Sequence, residues 1–313
     1  MQNDTEEIRS EKLALLALSE IRGVGFETIK KISLDQIPFT TFFQSDAGQH
    51  YKPHISSNAT YSKIKEYLAS SRSINDALDL AKRNFDYLQN RQISIILPGE
   101  DRFPKKLHDL NDMPQWIFIE GASEALIGFS VTAVGSRKPS AEGKWLANYF
   151  GLCLQDLKLT TISGLAEGID QIVHRASISA HLPTVAVLGT GILSDYPKGS
   201  QELRGRILEN GGALVTEYLP RDTFSAKNFV RRNRLQAALG DIIFPIEWQI
   251  KSGTAHTVKF AREMHRPMIF CRTPTQKDFS WIPTEYSRKS DFFILPAEHT
   301  QFITALIPKP VDS

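Results

Sequence analysis

The sequence predicts an α/β protein with a mostly parallel sheet covered by helices on both faces, preceded by a small helical domain. Three observations carry this. From about residue 93 onward, β-branched apolar runs alternate with amphipathic stretches at the spacing of βαβ units. Several of those runs, such as "TVAVLG" and "DIIFPI", are apolar at nearly every position, as strands buried on both faces are. Before that point the apolar residues follow a helical period only.

The elements follow in order. "EIRSEKLALLALSEI" sets Ile8, Leu15, Leu18 and Ile21 at helical spacing, and "RGVGFETIKKI" is a Gly-Val-Gly turn that opens a second helix. "YSKIKEYLASS" and "INDALDLAKRNFDYLQN" predict two more. The polar, turn-rich "FFQSDAGQHYKPHISSNAT" is expected to be the most flexible stretch. Residues 1–80 are assigned to the helical domain and 81–313 to the sheet domain. Strands are expected at "ISIILPGED", "QWIFIEG", "SVTAVGS", "LTTISG", "TVAVLGTG", "ALVTEY", "DIIFPIEW" and "PMIFC". Helices are expected at "AEGKWLANYFGLCLQDLK", "GIDQIVHRASISA", "SQELRGRILENG", "FVRRNRLQAALG" and "GTAHTVKFAREMH". Residues 285–313 predict no unit of their own.

With 37 basic against 35 acidic residues, the net charge of +2 announces no polyanion partner, so any basic surface must come from local clustering. Cys153 and Cys271 read as small buried apolar residues. No Cys/His spacing suits a metal, and no metal or cofactor is expected. The N-terminal "MQNDTEEIRSEK" is polar and acidic, unlike a signal peptide, and no apolar run approaches the roughly 20 residues of a membrane span. A cytoplasmic protein without a membrane partner is expected.

In open parallel sheets, ligands bind at the carboxyl ends of the strands. Four predicted strand ends run into small-residue turns: Gly135-Ser136-Arg137; Ser163-Gly164 through Gly168 to Asp170; Gly189-Thr190-Gly191; and Ser252-Gly253-Thr254 after Lys251. Small residues let the backbone approach a ligand, and the helix that follows aims free N–H groups at it. Each turn alone suits an ordinary tight corner; four on one edge suggest a phosphate site. Arg137 adds a planar bidentate donor. Asp170 reads either as a charge or cap at a helix start, or as a group fixing the glycine loop or touching a ribose or base. None of these turns is a dinucleotide fingerprint or a P-loop.

"SAKNFVRRNRLQAALG" gathers Lys227, Arg231, Arg232 and Arg234 around Asn233, with Phe224 and Phe229 interleaved. Arg231 and Arg234 share a helix face. Arginines tracking a phosphodiester beside stacking aromatics suit single-stranded nucleic acid. A solvated basic helix start with Phe229 in the core is the other reading. "LSEIRGVGFETIKKI" has the order of a helix-hairpin-helix, with Arg22, Lys30 and Lys31 around a turn able to face a phosphate; a protein contact or a plain hairpin stay open. No catalytic constellation is convincing. His174 and His256 read as packing or helix-surface residues, while Glu217 and Glu247 end strands on the ligand edge, where either could serve as a general base.

Taken together, "DRFPKKLHDLNDMPQWIFIEG", "VGSR", "SGLAEGID", "VAVLGTG" with "YP" after it, "LVTEY" and "FVRRNR" resemble, in order and spacing, the motifs of the DprA/Smf family of DNA-processing proteins over roughly residues 90–270. The resemblance implies an extended Rossmann-like fold that binds single-stranded DNA without known catalysis. It also implies homodimerisation and partnership with a RecA-type recombinase, which such proteins load during natural transformation. By position it implies a DNA pocket of Gly135, Ser136, Arg137, Ser163, Gly164, Gly168, Arg231, Arg232, Asn233 and Arg234, with Lys227 as a contributor. The chain departs from the family at "KSGTAHTVKFA" and "HRPMIFCRTP", and the winged helix frequent at the C-terminus is expected to be missing. The alternative is a nucleotide-binding or nucleotide-cleaving enzyme or sensor in the same crevice, with Glu247 as its carboxylate; a divergent duty such as phage defence also stays open.

Overall fold

The computed structural model describes residues 4–34, 37–43, 58–155, 157, 159–288 and 290–307, and of residues 58–60 and 63 the backbone only. Most of the turn-rich stretch predicted to be flexible, residues 44–57, lies outside the described residues.

The chain divides into two compact units, one taking in the residues up to Glu100 with Gln115–Phe118 and Glu217–Leu219, the other Asp101–Pro114, Ile119–Thr216 and the residues from Pro220 onward. A boundary at residue 80 would cut a 20-residue helix, so the division falls beyond that helix instead. The first unit holds α1 (Glu6–Glu20), α2 (Phe26–Leu34), a 3-10 turn (Phe39–Phe43), α3 (Asn58–Leu68), α4 (Ser71–Asn90) and β1 (Ile93–Ile96). Thr5 caps α1 by accepting from the Ile8 amide at 3.3 Å, and Glu6 and Glu7 sit in the first turn, where the helix dipole favours them. Ser70 caps α4 in the same way, from the Ser73 amide. The Gly-Val-Gly turn leaves Val24 buried, and Phe26 packs 5.7 Å from Trp116 and 4.8 Å from Tyr218. Lys12 is buried, with its charge met by Asp4 at 2.8 Å and Glu100 at 3.0 Å.

The remaining elements are β2 (Ile117–Gly121), β3 (Ser130–Gly135), α5 (Ala141–Cys153), β4 (Thr160–Ser163), α6 (Ile169–Ser179), β5 (Thr184–Val187), α7 (Gln201–Glu209), β6 (Ala213–Thr216), α8 (Ala226–Leu239), β7 (Ile242–Ile246), α9 (Gly253–Glu263), β8 (Met268–Arg272), α10 (Thr284–Ser287), β9 (Ser290–Ile294) and α11 (His299–Leu306). Strand order in the sheet is β1-β2-β6-β5-β4-β3-β7-β8-β9. From β6 to β9 every paired neighbour is parallel, with Val131 in register with both Thr161 and Ile242.

Alternation along the strands builds two cores. Ile242, Phe244 and Ile246 of β7 and Ile269 of β8 face a cluster with α5, α6 and α11, through Leu146, Phe150, Val173 and Phe302. Ile243, Met268 and Phe270 point the other way, into a cluster with Ala237 of α8 and Val258 and Ala261 of α9. Helices therefore cover both faces. The expectation that residues 285–313 form no unit is corrected by β9, which pairs with β8 from Met268–Ser290 to Arg272–Ile294, and by α11, whose Phe302 and Leu306 are fully buried.

Sequence neighbours run outward from β3 on one side (β4, β5, β6) and from β7 on the other (β8, β9). The β3–β7 junction is thus the point where the winding reverses, and the loops leaving these two strands must part and open a crevice.

Candidate nucleic-acid interface

A cavity of about 650 Å³ opens at that junction. Its floor is the Gly135-Ser136-Arg137 turn leaving β3, and one wall is Glu247, Trp248 and Gln249 leaving β7. The turn is held in place at both ends. Gly168, at φ +85°, packs so tightly on it that an added Cβ would lie 2.4 Å from the Ser136 carbonyl, and the Ile169 amide donates to that carbonyl at 3.0 Å. Further along, Ser140 caps α5 by accepting from the Gly143 amide at 3.1 Å. The Glu247 carboxylate in turn accepts from the Ser140 amide at 2.8 and 3.0 Å and from its hydroxyl at 2.6 Å. Glu247 has a left-handed backbone, at φ +45°. Its two oxygens are therefore engaged in fixing the loop that carries Arg137.

Three helix N-termini border the cavity: α6 through Asp170, α8 through Ala226 and Phe229, and α9 through Ser252, Gly253 and Thr254. Their dipoles favour an anion, although amides of the α6 start are already used: Ile169 donates to the Ser136 carbonyl and Gln171 to that of Ala166. Arg137 and Lys138 line the cavity and are exposed. An adjoining shallow depression shares both and adds Lys144 and Arg175 with the exposed acid Glu167, so four cations face one carboxylate along the edge.

The structure brings Gly135, Ser136, Arg137, Asp170, Arg232, Asn233, Ser252, Gly253 and Thr254 into the cavity lining. Arg232 is buried beneath it: its Nη1 donates to the Gly164 carbonyl at 2.8 Å and also to the Val187 carbonyl. Asp170 accepts from the Gly164 amide at 3.1 Å, and burial pushes its carboxyl upward against the pull of Arg232. Asn233 donates to the Gly253 carbonyl at 3.0 Å and so fixes the start of α9. Ser163 is buried and donates to the Ala133 carbonyl at 2.7 Å; Gly164 is the shared partner of Asp170 and Arg232. Gly189 lies under Phe229, where an added Cβ would meet the ring at 3.0 Å. These residues shape the site from behind.

The basic cluster is dispersed more than the sequence suggests. Arg231 and Arg234 do share a helix face, but it is turned to Asp112: Arg234 Nε donates to Asp112 Oδ1 at 2.7 Å and Nη2 to its carbonyl at 3.1 Å, with Arg231 Nη2 3.9 Å from Asp112 Oδ2. Both lie outside the cavity lining, and Arg234 is buried. Lys227 is exposed on the first turn of α8, also outside the lining. Phe229 is buried as well, its ring flanked by Arg137 at 5.9 Å and Arg232 at 5.3 Å. The aromatic left for stacking is Phe224, half exposed, which packs on Tyr196 at 4.9 Å and Phe229 at 5.2 Å. Arg204, buried, donates to the carbonyls of Ile192 and Tyr196 and so sets the loop that carries Tyr196. Tyr196, Lys138 and Trp248 escaped the sequence reading as site residues; only the "YP" pair pointed to the first.

Glu217 is buried and outside the lining. His174 is buried too, with Nδ1 2.7 Å from the Thr184 hydroxyl, and burial depresses its pKa from 6.5 to about 3. Among the described residues there is no cluster of His, Cys, Asp and Glu able to hold a metal, and no helix long and apolar enough to cross a membrane.

The family described as DNA recombination-mediator protein A matches residues 94–282. Protein Smf of Escherichia coli is 36% identical over 176 residues, covering 56% of this chain and 47% of that protein. DNA processing protein DprA of Streptococcus pneumoniae is 33% identical over 172 residues, covering 54% of this chain and 60% of its own. The chain thus matches about half the length of these curated relatives. Among solved structures, DprA of Streptococcus pneumoniae superposes with a TM-score of 0.70 at 20% identity, covering 96% of this chain and 98% of that one. DNA processing protein A of Helicobacter pylori, described for its single-stranded DNA binding mode, gives 0.53 at 21%, covering 69% and 90%. At these identities the likeness is one of fold.

Proposed function

The chain belongs to the family of DNA recombination-mediator protein A, DprA/Smf, and from that premise we propose that its sheet unit grips single-stranded DNA at the β3–β7 junction without cutting it. One observation carries the reading. Arg137 stands exposed at the cavity floor, on a turn held by Gly168 on one side and Glu247 on the other, with three helix N-termini around the same space. A guanidinium held in this way needs little reordering to meet a phosphate. The helix dipoles add to the pull on an anion, and Phe224 offers a base a face to stack on.

The role of Glu247 supports binding over cleavage, since both of its oxygens are occupied by Ser140. Contacts of this kind read the backbone, so affinity is independent of base sequence and falls with salt. Family membership further supports an assembly in which the chain forms a homodimer and loads a RecA-type recombinase onto the strand it holds, in the cytoplasm, during DNA uptake or recombination.

A salt-titrated comparison of an oligo-dT strand, a duplex and mononucleotides tests the reading. The strand is expected to bind tightest and with the steepest salt dependence; saturable mononucleotide binding without strand affinity contradicts it.

A further inference from the structure

We propose that a second, aromatic cavity over the carboxyl ends of β7 and β8 stacks bases of the strand after it passes the Glu247–Gln249 segment. This inference rests on the strand-binding reading above and adds a place for the bases. The cavity measures about 590 Å³ and is lined by Trp248, Phe270, Phe279 and Trp281 together with Lys251 and Lys277. Glu247, Trp248 and Gln249 line both cavities, so a single stretch of chain separates them. β3, β7 and β8 are parallel neighbours, which puts both openings on the same edge of the sheet.

The lining has the chemistry of a base and its phosphate. Trp281 is 40% exposed and meets Trp248 edge-on at 5.2 Å, leaving ring surface open to stacking. The Arg272 guanidinium lies 5.7 Å over the Phe279 ring at the same cavity. Two buried donors there, Trp248 Nε1 and Arg272 Nε, have no hydrogen-bond partner, whereas buried polar groups are nearly always paired. Charge points the same way: Lys251, Arg272 and Lys277 line the cavity against the single Glu247 carboxylate, and Arg272 is oriented there by its Nη1 donating to the Thr273 and Gln276 carbonyls. An apolar peptide has no use for three cations; a polyanion carrying flat rings uses both.

The test measures fluorescence anisotropy of labelled dT strands of roughly 20 and roughly 4 nucleotides with the full chain. Trp281→Ala is expected to weaken the long strand about tenfold and leave the short one unchanged, with Trp281→Phe restoring it. The double substitution Lys251→Ala with Lys277→Ala, on exposed side chains that leave the fold intact, is expected to reduce the salt slope for the long strand alone, by about 1.4. If these variants bind both strands like the wild type while Arg137→Ala weakens both, the second cavity is not used and the first reading stands. If Arg137→Ala is also without effect, the first reading falls with it. Equal weakening at both lengths overturns the inference.

Discussion

The Arg137 guanidinium lies 5.9 Å over the ring of Phe229. This contact joins the turn after β3 to the first turn of α8, two segments about ninety residues apart in sequence. Arg232 sits 5.3 Å over the same ring, anchored from below. Phe229 is therefore the element that brings an exposed cation and a buried one to a single place, and it leaves stacking to its neighbour Phe224.

Phe224→Ala is expected to weaken oligo-dT binding by about 1–3 kcal/mol, the usual worth of one stacked base. The side chain is half exposed, so thermal stability is expected to stay close to that of the wild type. Anisotropy and a melting curve on the same sample check both halves.

Arg234→Ala is expected to act on stability instead. The side chain is buried and its two hydrogen bonds to Asp112 are charge-assisted, so their loss costs about 1–3 kcal/mol. Urea denaturation should show a lower midpoint with an unchanged slope. Strand affinity of the folded variant is expected to match the wild type.

Acid should destabilise the fold through His174. Its folded pKa, held at about 3 by burial, lies below the unfolded value of 6.5. Between those two values the unfolded chain binds a proton that the folded chain refuses, so stability is full above 6.5 and is lost as pH falls toward 3. At a pH of about 5 this amounts to about 2 kcal/mol. Denaturation midpoints of wild type and His174→Gln across this range are expected to converge on acidification.

The parts of this molecule legible in its sequence are those set by local chemistry. The strands and helices of the sheet unit follow from apolar periodicity, and the Gly135–Arg137 corner from its place among four small-residue turns at strand ends on one edge. Contacts between distant residues were not legible. Nothing in "FVRRNR" reveals that Asp112, more than a hundred residues earlier, draws off Arg231 and Arg234. Glu247 looked like a free carboxylate because its partner, Ser140, precedes it by a similar distance. β9 escaped notice because "SDFFI" is short and only half buried, and its apolar pair divides between two cores, Phe292 to one and Phe293 to the other.

The central claim is that Arg137 meets a phosphate of single-stranded DNA. The direct measurement is the salt dependence of oligo-dT affinity for wild type and Arg137→Ala. The variant is expected to bind severalfold more weakly at low salt, with a slope of log K against log salt shallower by about one. Superimposable lines for the two proteins would contradict the account.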